Sequence, residues 1–171
     1  NYAEGGSFRD SIRDMDTQKK LLEQDMDIRD EDVITRQIRD AEAEYQADPN
    51  EPGKLSKLVD ALLKSEKIEN ENRAIELLQE WYDRTKQFRF RLTIGKITLA
   101  QLRRQDRAER ARLRENPNDE NLKKQYLEFR RQNLETELNE YQLFAENYPT
   151  DMSYKHEMGV RLFELDRPDE A

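Results

Sequence analysis

Three prolines set the frame of this chain. Pro49 and Pro117 stand 68 residues apart, and Pro117 and Pro149 stand 32 apart. These intervals are close to two periods and one period of about 34 residues, the spacing of helix-turn-helix arrays that end each unit on proline. A single hairpin cannot cover its own apolar face, so such units stack and share it. Five prolines and five glycines serve all 171 residues. Between the proline breaks the chain is rich in Leu, Glu, Lys, Arg, Gln and Ala, which favour helix.

The periodicity agrees. Ile12, Met15, Leu22 and Met26 mark a first helix over about 11–28, and Asp30 reads as the N-cap of a second. In that second helix Ile34, Ile38, Ala41 and Tyr45 recur at steps of four, three and four, so residues 11–50 read as a helical hairpin after a flexible tail at 1–10. Leu55, Leu58, Val59 and Leu62 define a third helix. Ala74, Ile75, Leu77, Leu78 and Trp81 define a fourth, and a fifth starts near Gln87. Phe88, Phe90, Leu92 and Ile94 alternate as a strand does, but Phe90, Ile94 and Ile97 also keep helical spacing. No second strand-like segment exists to pair with, so the segment reads as helix. Leu122, Tyr126 and Phe129, then Leu134, Leu138, Tyr141 and Phe144, mark helix across 118–147. That stretch is either a turn-linked hairpin or one long helix of an antiparallel pair.

Composition narrows the class. With 35% hydrophobic and 40% charged residues, the chain suits an array that buries one stripe per helix rather than a globule with a thick core. A net charge of −8 disfavours nucleic acid as a partner. The absence of cysteine removes disulfides, thiolate nucleophiles and Cys-based zinc sites, and fits the cytoplasm. No apolar run nears the roughly 18 residues of a membrane span, so membrane insertion is not expected. Residues 1–10 lack the apolar stretch of a signal peptide. A chain that starts at Asn1 and breaks off at Ala171 reads as a fragment of a larger protein.

The segment Asn147-Tyr148-Pro149-Thr150-Asp151, followed by Met158-Gly159, Leu162-Phe163 and Asp166-Arg167-Pro168-Asp169-Glu170-Ala171, resembles the first half of a tetratricopeptide repeat. With Pro149 as the repeat-ending proline, Gly159 falls at the eighth position of the next unit and Ala171 at the twentieth. Those are the small-residue positions where that family packs its two helices closely. Ala74 is similar to the second-helix alanine, and Gly95 to another eighth-position glycine, whereas Val59 stands where Gly or Ala is usual. The likeness is clearest at 149–171 and 52–85. It implies an all-α superhelix of stacked antiparallel hairpins, with room for one or two long coiled-coil-like helices. The units would be a hairpin at 11–50, hairpins over 51–117, and a hairpin with the first helix of a final repeat over 118–171.

No residue set carries chemistry. His156 is the only histidine, so no His-rich metal site can form. Asp25, Asp27, Asp30 and Asp32 fail as a calcium loop: Arg29 takes its fifth position, Asp30 its glycine and Arg36 its closing glutamate. They read instead as acidic residues near a helix start. Gly95-Lys96 is followed by Ile97, not by the Ser or Thr of a phosphate loop. Arg103, Arg104, Arg107, Arg110, Arg112 and Arg114 make a basic stretch broken by Asp106 and Glu109, which suits intrahelical ion pairs. Trp81, Tyr82, Phe88 and Phe90 read as core between hairpins.

No catalytic, cofactor or metal residues are therefore expected. The resemblance implies a non-catalytic scaffold whose first helices line a groove for a peptide or helix of a partner protein. On that likeness the groove residues are Asp60 and Lys64, Arg89 and Lys96, and His156 and Val160. The other reading is a structural spacer or self-association arm, drawn from the unpunctuated helices at 11–47 and 118–147, and it leaves homo-oligomerisation open.

Overall fold

The computed structural model describes residues 7–167, with side chains from residue 15 onward. Every regular element among them is a helix: α1 (Ser7–Ala47), α2 (Pro52–Lys64), α3 (Ile68–Thr85), α4 (Phe88–Glu115), α5 (Glu120–Asn147) and α6 (Met152–Glu164). The chain divides into two compact units, Asn1–Ala74 and Ile75–Ala171, and the division falls within α3.

The three framing prolines mark one turn used three times. Pro49, Pro117 and Pro149 each take the second position of a four-residue turn. The turns are closed by backbone bonds from Glu51 N to Asp48 O, Asp119 N to Asn116 O and Asp151 N to Tyr148 O, at 3.4, 3.2 and 3.0 Å. Proline suits that position because its fixed φ already matches the turn. The fourth residue is an acid that caps the next helix. Glu51 accepts from the Gly53 and Lys54 amides, Asp119 from Leu122 and Asp151 from Ser153. Each cap satisfies amides that the first helical turn leaves without a partner.

A larger likeness joins α2 and α6. Both have 13 residues, both follow a proline turn with an acid cap, and both end before a residue of positive φ, Glu66 (52°) and Asp166 (59°). Such a φ closes a helix at some cost for a residue with a Cβ. At an offset of 100 residues Leu58, Leu62 and Leu63 align with Met158, Leu162 and Phe163.

In the first unit α2 runs antiparallel to α1. Lys57 bonds Glu44 at 2.6 Å and Lys54 bonds Asp48 at 3.5 Å near the turn, while Lys67, just past α2, reaches back to Glu31. Leu55, Leu58, Val59 and Leu62 are buried on α2. On α1 the contact stripe is Ile34, Ile38, Ala41 and Tyr45.

The hairpin expected over 11–50 does not form. α1 is one 41-residue helix, and Asp30 lies inside it rather than capping a second helix. At about 100° per residue, Met15, Leu22, Met26 and Val33 share one face, and Ile34, Ile38, Ala41 and Tyr45 share another about 100° away. The apolar stripe changes face, but nothing between residues 24 and 34 breaks a helix. Residues 1–6 of the tail expected at 1–10 lie outside the described residues, its last four, 7–10, are helical rather than a flexible tail, and the Ile12 side chain lies outside those described.

In the second unit α4 and α5 are 28 residues each and antiparallel. Arg91 pairs with Glu140, and further along α4 Asp106 meets Tyr126. Residues 120–147 are thus one long helix, which settles the choice left open by the sequence, and the Phe88–Leu99 segment is the start of α4. α6 packs antiparallel on α5, with the Phe144 and Tyr154 rings 5.3 Å apart at one end and Arg130 bonded to Glu164 at 2.8 Å at the other. The core here is Leu99, Tyr141 and Phe144, with Phe88, Leu92, Tyr154 and Met158 packed around it. Trp81 and Phe90 are buried with ring centroids 5.4 Å apart, so the aromatic cluster of 81–90 contributes to the core as its spacing suggests.

Candidate protein-docking surfaces

Asp60 and Lys64 lie one turn apart on α2 and border a concave groove of about 620 Å3 against α1. Small residues create the hollow: Gly53, Ala41 and Ala61 line it, the two alanines buried. Its rim is charged. Asp40 and Glu44 stand on α1; Lys57, Asp60 and Lys64 stand on α2. Lys57 is tied to Glu44, whereas Asp60 and Lys64 are exposed.

The other four expected groove residues lie in the second unit. Arg89 and Lys96 are seven residues apart on one exposed face of α4. The Arg89 guanidinium rests over the Phe90 ring at 4.7 Å. Lys96 acts electrostatically on Asp151 at the start of α6. His156 is exposed on α6, and Val160, one turn on, is half-buried.

Three features escaped the sequence reading. The first surrounds Glu137, which is 3% exposed on α5. It accepts from Arg130 at 3.2 Å and from Arg161 of α6 at 2.8 Å, and Arg161 stacks over Tyr141 at 4.8 Å. Burial opposes the charge on Arg161, yet the carboxylates of Glu137 and Glu157 outweigh it and raise its pKa. Arg103, Asp106 and Arg107 complete the lining of this recess. Elsewhere on the basic stretch Arg110 pairs with Asp106 at 2.8 Å and Arg112 with Glu109 at 3.7 Å, the intrahelical pairs its spacing predicts. The only sign of Glu137 in the sequence is a carboxylate set among Leu134, Leu138 and Tyr141.

The second is an apolar hollow of about 400 Å3 between α5 and α6, with Ala145, Met158, Gly159 and Leu162 among its lining residues. Nothing lies within 4 Å of where a Gly159 Cβ would stand. The close helix packing expected at Gly159 is therefore not made by any described residue, whereas Gly95 does lie in such a contact.

The third is the N-terminal part of α1. Every side chain from Met15 to Val33 is exposed, including Met15, Leu22 and Met26 at 69%, 64% and 62%.

No group of His, Cys, Asp or Glu among the described residues could hold a metal ion, and the four aspartates of 25–32 lie along a continuous helix. Among the described residues no helix is long and apolar enough to cross a membrane. Comparison with protein-family models, with curated proteins and with solved structures gave no match.

Proposed function

We propose that the chain is a non-catalytic protein-interaction scaffold, a tetratricopeptide-like array of stacked helical hairpins that holds a peptide or helix of a partner protein in a groove. The observation that carries this reading is the α1–α2 groove, with a floor of small residues and with Asp60 and Lys64 on its rim. The turn shared by Pro49, Pro117 and Pro149, and the likeness of α2 to α6, support the array. The partner is a protein rather than nucleic acid, in keeping with a net charge of −8, and the setting is cytoplasmic, in keeping with the lack of cysteine.

Affinity capture from the source lysate tests it, comparing the intact chain with one carrying Lys64→Glu and with another carrying Arg89→Glu and Lys96→Glu. A partner held by the first and lost by the second supports the groove. Identical captures place those contacts elsewhere. Recovery of the bait's own parent alone favours the spacer or assembly arm.

A further inference from the structure

α1 uses one face and leaves another bare. Its C-terminal third turns Ile34, Ile38, Ala41 and Tyr45 toward α2, but Met15, Leu22, Met26 and Val33 lie on a face about 100° away and are exposed. The spacing of 15, 22, 26 and 33 is seven, four and seven. It is the a/d seam of a coiled coil, sustained over about 28 Å of helix. Lys19 and Arg29 fall on the same seam, where their aliphatic stems can lie along apolar neighbours.

The flanks decide what can cover it. Asp16, Glu23 and Asp30 border the seam on one side, and Asp25 and Asp32 on the other. The ion pair of Glu31 with Lys67 lies off these flanks. Across this stretch seven carboxylates stand against three cations. A second copy is a poor occupant. In a parallel pair Asp25 would face Asp30, and in an antiparallel pair each acidic flank would face its own kind, like charges in both cases. An anionic lipid surface is repelled by the same carboxylates.

We infer that residues 15–33 of α1 are a docking surface for a helix of a different protein, with an apolar a/d seam and Lys or Arg along both flanks. This surface goes beyond the α1–α2 groove and does not depend on it.

The probe is a synthetic helix of about four heptads with Leu and Ile at a and d and Lys at e and g, set beside a sister carrying Glu at e and g. Binding to the full chain is followed by fluorescence anisotropy. The Lys-flanked probe should bind, weaken as salt is raised, and bind at least about tenfold tighter than its sister. Leu22→Glu with Met26→Glu should abolish binding. Both side chains are exposed, so circular dichroism and the melting temperature should stay as in the parent. Lys64→Glu should leave probe binding unchanged, and this separates the surface from the groove: loss of lysate capture by Lys64→Glu alone bears only on the groove. The inference is overturned if the Lys-flanked probe does not bind, if the sister binds equally well, or if Leu22→Glu with Met26→Glu still binds. It is also overturned if sedimentation shows the chain pairing with itself through this seam.

Discussion

Gly95 of α4 lies so close to Phe144 of α5 that a Cβ at position 95 would stand 2.5 Å from the ring's Cζ. Neither neighbour can retreat. Phe144 is 1% exposed, and the Glu140 carboxylate on the other side is held by both Arg91 nitrogens at 2.7 and 2.8 Å. Glycine is therefore required here by the approach of two helices, not by backbone conformation.

Gly95→Ala should destabilise the chain by about 1–3 kcal/mol through overpacking, after a helix-propensity gain of up to about 1 kcal/mol. Gly159→Ala should do the reverse. Its Cβ would enter open space in the hollow between α5 and α6, so only the propensity gain remains. Thermal melts of the two variants check this, with opposite shifts of a few degrees expected. Shifts of the same sign would mean that α4 and α5 do not meet at Gly95.

These two glycines show how far the sequence could be read. Both look like one repeat position, and only Gly95 has a helix against it. The proline turns were legible because Pro49, Pro117 and Pro149 act locally, through φ and the acid two residues later. The helical start of α4 was legible because a lone strand has nowhere to bond. The continuity of α1 was missed because its apolar stripe moves to another face near residue 33, which reads as a break when only spacing is followed. Glu137 was hidden for a different reason. Its stabilising partner Arg161 is 24 residues away on another helix, and no local pattern marks such a pair. Asp60 and Lys64 border the hollow beside α1, while the small residues Gly53, Ala41 and Ala61 that shape it carry no mark in the spacing.

Glu137→Ala should cost about 1.5–3 kcal/mol, because Arg130 and Arg161 lose a buried acceptor while each keeps one other carboxylate, Glu164 and Glu157. Glu137→Gln keeps the shape and one acceptor, so its loss should be smaller. Denaturant unfolding gives both values. A double-mutant cycle with Arg161→Ala should show strong coupling, since both changes remove the same bond.

Asp151 links α6 to pH. It accepts from the Ser153 hydroxyl and the Ser153 amide, and with Lys96 nearby these hold its carboxyl below the ordinary value. The folded state thus binds this proton less readily than the unfolded one. The stabilisation is fully present above the ordinary carboxylate pKa of about 4 and is lost as pH falls through the lower folded value. Melting temperatures of the parent and Asp151→Ala should differ at neutral pH and converge in acid. A gap that stays constant to the most acid point would show that the cap does not depend on ionisation.

The exposed half of α1 should exchange its amide hydrogens quickly. Residues 15–33 have no buried side chain, and a lone helix rich in aspartate is marginal in water. Residues 134–144 of α5 carry the core instead: Leu134, Leu138, Tyr141 and Phe144 are all buried. Hydrogen exchange followed by mass spectrometry should show protection at 15–33 roughly a hundredfold or more below that at 134–144. Adding the Lys-flanked helix should slow exchange at 15–33 while leaving 134–144 as before. Strong protection at 15–33 in the free chain would mean that the seam is already covered, and the docking surface would then be closed to a partner.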